Sequence, residues 1–266
     1  MSLITLLTDF GTADYFVGAM KGAILSLDPQ ACIVDITHEI PAHDIAAGAF
    51  ALLAAYQSFP PQTIHVAVVD PGVGSMRRPL LIATREHCFI GPDNGLFSYV
   101  CERETPARIY HLTNPTFFRA AVSATFHGRD IFAPVAGALS RGALPEQFGE
   151  VIDDEVRLAS LAPEMAADGT LLAAIIHIDR FGNCITNITR RDLHGERMAE
   201  GSMLEIGGRK IDSLRRFYAE ERGAAGELFA VWGGAGFLEI AANGASAARL
   251  LDAERGQLVR VSHLAG

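Results

Sequence analysis

ITLLTDFG (residues 4–11), CIVDITHE (32–39) and TIHVAVVDPGVG (63–74) are three short apolar runs that each end in polar residues. Two stretches with the length of helices, residues 15–27 and 45–59, separate these runs. The second stretch is apolar almost all round, which is typical of a buried helix. Strand, helix, strand, helix, strand in this order predicts a parallel sheet covered by helices on both faces.

The pattern changes along the rest of the 266-residue chain. Residues 80–84 and 88–90 read as adjacent strands, and residues 130–139 as a further helix. An acidic, Pro- and Gly-containing segment, residues 151–170, indicates a linker. Only strand signals follow it, which favours a small barrel or sandwich. We therefore predict an N-terminal, mostly parallel α/β sandwich domain (residues 1–160) and a C-terminal all-β barrel-like domain (residues 161–266).

Composition excludes several classes of protein. Hydrophobic residues make up 49% of the chain and charged residues 20%, as in a folded globular protein. The formal net charge of -9 disfavours a nucleic-acid partner. No apolar run reaches the roughly 18 residues of a membrane helix, and the N-terminus reads as a strand and not as a signal peptide. Four widely spaced cysteines argue against a zinc site or a disulfide scaffold and favour a cytoplasmic location.

Polar residues stand where the predicted parallel strands end. Asp9, Asp70 and the pair His38-Glu39 each follow one of the three strands. Ligands of open α/β sheets bind beyond the carboxyl ends of the strands, so these side chains are candidate site residues. The alternative for each acid is that it only caps the following helix. A third possibility is a metal site built from Asp9, His38, Asp70 and His127.

Two further motifs carry ionisable groups. In VDPGVG the glycines permit close approach of the backbone to a ligand, and Arg77 and Arg78 follow at once. An arginine beside Asp70 would keep that carboxylate ionised, although a surface turn with a salt bridge would have the same sequence. TFHGRD leads into a predicted helix and carries His127, which is either a group that titrates near neutral pH or a solvated side chain.

The C-terminal half offers one polar loop, DRFGN (residues 179–183), between two predicted strands. It is either a hairpin turn or a loop that holds a small polar ligand. The glycines of residues 72–74 and 233–236 do not match the dinucleotide-binding or P-loop patterns. The DFG at residues 9–11 lacks the other motifs of a protein kinase.

Taken together, these segments resemble the S-adenosyl-L-methionine (SAM) hydroxide adenosyltransferases, relatives of the SAM-dependent chlorinase and fluorinase. The resemblance extends over nearly the whole chain. The motifs that carry it are TDFG (8–11), THEIPAHD (37–44), VAVVDPGVGS (66–75) with the two arginines, GPDNGLFS (91–98), TFHGRDIFAPVAG (125–137), HIDRFGNCITNI (177–188) and GFLEIAANG (236–244).

The resemblance implies hydrolysis of SAM to adenosine and L-methionine, with SAM as substrate and without cofactor or metal. It also implies a homotrimer whose SAM sites lie between the N-terminal domain of one subunit and the C-terminal domain of the next. Asp70, Arg77 and His127 would form the catalytic group, with Arg78 as the alternative to Arg77. The substrate-binding positions would be Asp9, Asp14, Tyr15, Phe16, His43, Gly128, Asp179, Phe181, Asn183, Gly234, Ala235 and Asn243.

One segment departs from the family. The family often has an Asn-Ser pair just before the GYLEIA-type motif, whereas this chain has WGGAG (residues 232–236) there, so a backbone amide of Gly234 or Ala235 would have to replace the serine hydroxyl. Two other functions remain compatible with the sequence: a halogenase that uses the same substrate, and a binding protein that leaves SAM intact. The negative charge of Asp70 disfavours a halide as the nucleophile.

Overall fold

A computed structural model describes residues 2–193, 202–220 and 223–263 of the chain. Contacts within the chain divide it into two compact units, Met1–Ser160 and Leu161–Gly266, called here the N-terminal and the C-terminal unit. No helix in the described ranges has both the length and the apolar character that a membrane crossing requires.

The N-terminal unit contains one seven-stranded sheet with the strand order β2-β1-β3-β5-β4-β6-β7. Neighbours from β2 to β5 are parallel, and those from β5 to β7 are antiparallel. The strands are β1 (Leu3–Thr8), β2 (Cys32–Thr37), β3 (Ile64–Val68), β4 (Pro79–Ala83), β5 (Cys88–Pro92), β6 (Arg108–Leu112) and β7 (Gly149–Ile152). The helices are α1 (Phe16–Leu27), α2 (Ile45–Ala55), α3 (Ser98–Arg103) and α4 (Ala133–Ser140).

The predicted α/β architecture of this unit is confirmed. Strand β3 is buried along its whole length, as expected for a strand with helices on both sides. Asp44 caps α2, because its carboxylate accepts a hydrogen bond from the Ala47 amide at 3.0 Å. The edge strand β2 does not fit the prediction of full cover, since half of its residues are exposed.

Two predicted helices have different bounds in the structure. The apolar stretch 45–59 leaves the α-helix at Ala55 and continues as a 3-10 turn, Tyr56–Ser58. Pro60 explains why Phe59 is extended, since a proline disfavours helical backbone in the residue before it. The helix predicted at 130–139 is a π-helical turn, Gly128–Phe132, followed by α4.

The C-terminal unit is a nine-stranded, curled half-barrel sheet, which confirms the predicted barrel-like β architecture. Eight strands follow the order β12-β11-β16-β9-β10-β15-β14-β13, and β8 pairs with β9. The strands are β8 (Glu164–Met165), β9 (Leu171–Ile178), β10 (Cys184–Thr189), β11 (Ser202–Ile206), β12 (Arg209–Ile211), β13 (Leu214–Arg215), β14 (Leu228–Trp232), β15 (Phe237–Ala242) and β16 (Leu258–His263). A short helix, α5 (Ala247–Leu251), precedes β16.

Candidate active site

The carboxyl ends of the parallel strands gather the first candidate residues. Strands β1 and β3 are neighbours, and the register pairs Thr8 with Val68 at their ends. Asp9 therefore follows one strand directly, and Asp70 follows the other after one further residue. Both carboxylates belong to the edge of the sheet at which α/β proteins bind ligands.

Arg77 joins Asp70 to His127. Its Nε donates to Asp70 Oδ1 at 2.9 Å, and its Nη2 makes a short hydrogen bond to Asp70 Oδ2. The same Nη2 lies 2.8 Å from His127 Nδ1. The Arg77 side chain is 8% exposed and that of Asp70 5%, so the ion pair is shielded from bulk water. Charged hydrogen bonds of this two-pronged kind are strong and fix both partners.

His127 has a defined tautomer in this arrangement. A guanidinium only donates hydrogen bonds, so the His127 Nδ1 that faces Arg77 must be the acceptor. The ring proton of neutral His127 is therefore assigned to Nε2. Burial lowers the pKa of His127 from its ordinary value of 6.5, and the positive charge of Arg77 lowers it further. The imidazole is thus neutral near pH 7 and presents an N–H donor on its Nε2 side.

The loop after β3 is shaped to bring Arg77 to this position. Gly74 has a φ of +78°, and a Cβ at this residue would lie 2.1 Å from the carbonyl oxygen of Ala124. Only glycine lets this loop touch the segment that leads to His127. Ser75 closes the turn, because its hydroxyl donates to the Gly72 carbonyl at 2.7 Å and accepts from the Arg77 amide at 3.2 Å.

The π-helical turn Gly128–Phe132 holds the other side of the site. His127 immediately precedes the turn, and the ring of Phe132 lies 5.3 Å from the Arg77 guanidinium carbon. Asp130, which is fully buried, accepts from the Ser123 amide at 2.8 Å and from Arg129 Nε at 2.7 Å. Such turns are rare and often lie at functional sites.

Arg78 is directed elsewhere. Its Nε donates to Asp93 at 2.8 Å and its Nη1 to Asp154 at 2.6 Å. Of the two adjacent arginines, Arg77 is therefore the one beside Asp70. Asp93 also accepts from the Val156 amide, so Arg78 and Asp93 together hold residues 154–156, near the end of the N-terminal unit, beside the end of β5.

Asp9 contacts His43. A pair of aromatic residues, Tyr15 and Phe16, follows Asp9 in the chain. Asp9 Oδ2 accepts from the His43 amide at 2.9 Å, and His43 has a φ of 67°. Tyr15 and Phe16 stack on each other with ring centroids 4.6 Å apart, and Phe16 contacts Phe126 at 5.2 Å. Tyr15 is nevertheless 69% exposed. Phe126 directly precedes His127 in the chain, so the Tyr15–Phe16 pair packs against the segment that carries His127. Asp14 is exposed, and Gly128 packs against the sulfur of Met20.

In the C-terminal unit, Asp179 organises the predicted ligand loop. Its carboxylate accepts from the amides of Phe181 and Asn183 and from the Asn183 side chain, at 2.8–2.9 Å. Asn183 is buried, whereas the ring of Phe181 is 79% exposed.

The other predicted residues of this unit do not all join that loop. Gly234 and Ala235 form the hairpin tip before β15, whereas the Asp179–Asn183 loop precedes β10. Because β10 and β15 are antiparallel, the two segments lie at opposite ends of β15. Asn243 follows β15 at the end near the loop, and its side-chain amide donates to the carbonyl of Gly223.

Sequence reasoning did not single out three buried acids of the described ranges, Asp93, Asp130 and Glu239. Asp93 pairs with Arg78, and Asp130 pairs with Arg129. Glu239 accepts from the Tyr218 hydroxyl at 2.6 Å, and burial raises the pKa of its carboxyl group. A charged residue at the centre of the apolar run FLEIAA (residues 237–242) is the signal that marks Glu239. Within the described ranges, no three His, Cys, Asp or Glu side chains are grouped closely enough to hold a metal ion.

An α/β unit and a curled β unit, with a shielded Asp-Arg pair and a half-buried histidine at the carboxyl ends of parallel strands, define a class of two-unit α/β-plus-β proteins. Within that class, the chain belongs to the SAM hydroxide adenosyltransferase family. The N-terminal domain model of this family matches residues 4–149, and the C-terminal domain model matches residues 173–260.

Curated relatives and solved structures agree with this assignment. The chain is 35% identical to an (R)-S-adenosyl-L-methionine hydrolase of Thermus thermophilus, over 98% of this chain and all of the relative. A fluorinase of Nocardia brasiliensis is 27% identical over 97% of this chain and 96% of its own length. The crystal structure of an uncharacterized conserved protein from Thermotoga maritima superposes with a TM-score of 0.90, at 32% identity, over 98% of this chain and 100% of its own.

We predict that NMR titration of the imidazole signals will give His127 a pKa below 6.5. Arg77→Met should raise this pKa, because it removes a positive charge beside the ring and leaves Asp70 in place. Arg78→Met is the matched control and should leave the His127 titration unchanged, since Arg78 pairs with Asp93 and Asp154. A wild-type pKa above 6.5 would contradict the assigned electrostatics.

Proposed function

We propose that this protein hydrolyses SAM to adenosine and L-methionine, by attack of water on the ribose C5′. The observation that carries the proposal is the hydrogen-bonded Asp70-Arg77-His127 group in a chain of the SAM hydroxide adenosyltransferase family. The relatives named (R)-S-adenosyl-L-methionine hydrolase also specify a sulfur configuration. We therefore propose the (R)-sulfonium epimer as the substrate.

The chemistry requires an activated nucleophile and no acid for the leaving group. Methionine leaves a sulfonium centre as a neutral thioether, so its departure needs no proton. Water is a weak nucleophile, and it must be held in line with the C5′–S bond. As the O–C5′ bond forms, the C5′–S bonding pair moves to sulfur and one water proton passes to a protein base.

Asp70 and His127 are the two candidate bases, and the tautomer of His127 supports Asp70. His127 Nδ1 is engaged by Arg77, and His127 Nε2 already carries the ring proton, so this imidazole donates a hydrogen bond. Asp70 is the acceptor of the group. Arg77 Nη1 is buried without a hydrogen-bond partner in the described part of the chain, which leaves its two N–H groups available. We propose that Arg77 Nη1 and His127 Nε2 donate to the water oxygen, and that Asp70 accepts the proton.

The remaining predicted residues would bind the rest of SAM. A carboxylate at Asp9 can accept hydrogen bonds from the ribose hydroxyls. We propose that Asp14, His43 and Gly128 contact SAM as well; of these, the His43 amide donates to Asp9. Tyr15 and Phe16 offer aromatic faces for the adenosyl part or the sulfonium. Segments 179–183 and 234–235 lie at opposite ends of β15, so we propose that they contact different parts of one extended ligand.

We further propose a homotrimer with SAM sites shared between subunits, located in the cytoplasm and working without cofactor or metal. Tyr15 and Phe181 support a shared site, because both are proposed ligand contacts and both are largely exposed in the single chain. All four cysteines are free thiols, which supports a reducing compartment. We propose as well that the units on either side of residue 160 fold as independent domains.

A halogenase is the alternative with the most specific support, because fluorinases are also relatives. Their identity to this chain is lower than that of the hydrolases, at 27% against 35% for the two full-length matches given above. A halide next to the Asp70 carboxylate would also be repelled. Hydrolysis is therefore the function that the site supports best.

The direct test is incubation of the purified protein with SAM, with products separated by chromatography. We expect adenosine and methionine in equal amounts, the same rate after treatment with EDTA, and ¹⁸O from labelled water in the adenosine 5′-hydroxyl. Added chloride or fluoride should give no halogenated nucleoside. Unchanged SAM would favour a binding protein, and 5′-chloro- or 5′-fluoro-5′-deoxyadenosine as the main product would favour a halogenase.

Kinetics should separate the proposed roles of the two strand-end acids. Asp70→Asn removes the base and should lower kcat by about 10²-fold or more, with KM within about tenfold of wild type. Asp9→Asn should mainly raise KM, as expected for a ribose ligand. Asp153→Asn changes an exposed acid and is the matched control. A normal kcat in Asp70→Asn would rule out the proposed base.

Mixing two inactive variants tests the shared site. Asp70→Ala alters the N-terminal unit and Asp179→Ala the C-terminal unit. If each site draws on two chains, exchange of subunits creates some interfaces at which both acids are intact, and activity should return. Light scattering should report a trimer for each variant. The shared site is wrong if verified subunit exchange restores no activity, or if the wild type is a fully active monomer.

A further inference from the structure

A second concave site lies in the N-terminal unit, outside the group that Arg77 organises. It is a cavity of about 630 Å³ between α1, the 3-10 turn Pro115–Phe117 and α4. Small residues of α1, Gly22 and Ala23 among them, form one wall. Phe117 and Phe118 form another. This volume lies within the range of pockets that hold small organic ligands, about 300–1,000 Å³.

The cavity also has a cationic side. Arg119 and Arg129 both line it, and both guanidinium groups pair with the buried carboxylate of Asp130. Arg129 binds Asp130 through two nitrogens, whereas Arg119 lies 3.8 Å away and is 53% exposed. In the described ranges no other carboxylate pairs with either arginine. Two guanidinium groups share one carboxylate, which leaves one positive charge uncompensated at the cavity.

We propose that this cavity binds a small molecule that has a flat apolar body and one anionic group. The apolar body would lie along the small residues of α1 and contact Phe117 and Phe118. The anionic group would bind Arg119, which is the less engaged of the two arginines. The proposal does not depend on SAM hydrolysis, because none of its residues belongs to the Asp70-Arg77-His127 group.

The structure offers a variant that fills the cavity without disturbing the fold. A Cβ at Gly22 would have no atom within 4 Å, so a leucine there would project into open space. Leucine also has a higher helix propensity than glycine. Gly18 lies on the same helix, has equal space for a Cβ and does not line the cavity. Gly18→Leu is therefore the matched control for Gly22→Leu.

The probe is 8-anilinonaphthalene-1-sulfonate, with N-phenyl-1-naphthylamine as the same ring system without the anionic group. Fluorescence titration of the wild-type protein should give one sulfonate probe per chain, bound at least about tenfold more tightly than the neutral probe. Arg119→Met should abolish that difference, and Gly22→Leu should abolish binding of both probes. Gly18→Leu and Arg85→Met, which removes an arginine outside the cavity, should behave as wild type.

Several results would overturn the proposal. One is equal affinity of the wild type for the two probes, and another is unchanged binding of the sulfonate probe by Gly22→Leu. The proposal would also be overturned if the wild-type protein did not bind the sulfonate probe. If Gly22→Leu changes the oligomeric state in light scattering, the cavity is an interface with a second copy of the chain and not a small-molecule site.

Discussion

The buried pairing of Arg77 with Asp70 is the interaction on which the candidate site depends. A carboxylate and a guanidinium that are each less than one tenth exposed need each other, because removal of one partner from a buried pair typically costs about 3–5 kcal/mol. Arg77 also fixes the ring of His127 through Nδ1, so one side chain sets the position of the acid and the tautomer of the imidazole. Arg77 therefore controls both the position of the Asp70 carboxylate and the ring nitrogen of His127 that carries the proton.

Two backbone features allow that side chain to reach both partners. Gly74 lets the loop after β3 contact Ala124, three residues before His127, at a distance that no Cβ would permit. The π-helical turn then brings Phe132 over the guanidinium from the side of α4. Each feature lies in a different part of the sequence, and they meet at the Arg77 side chain, which contacts both His127 and Phe132.

The sequence predicted most of the parallel half of the sheet and most strands of the C-terminal unit, because their apolar runs are clear. It did not predict α3, β6 or β7. The strands β6 and β7 are short, polar-containing segments that are defined by pairing with strands distant in the chain. The sequence also did not determine whether Arg77 or Arg78 lies beside Asp70. Adjacent side chains of an extended segment point to opposite sides, and only the turn closed by Ser75 determines which arginine faces Asp70. The split of the C-terminal ligand segments likewise follows from the antiparallel register of β10 and β15.

Asp130 connects the two sites of the N-terminal unit. It lies in the turn that directly follows His127, and its fully buried carboxylate holds the Ser123 amide on one side and two arginines on the other. Because a buried carboxylate must keep its donors, a displacement of Arg129 has to be answered by a rearrangement around Asp130. Arg129, which lines the cavity, and His127, which contacts Arg77, are thus two residues apart at the start of the same turn, although the two sites share no side chain.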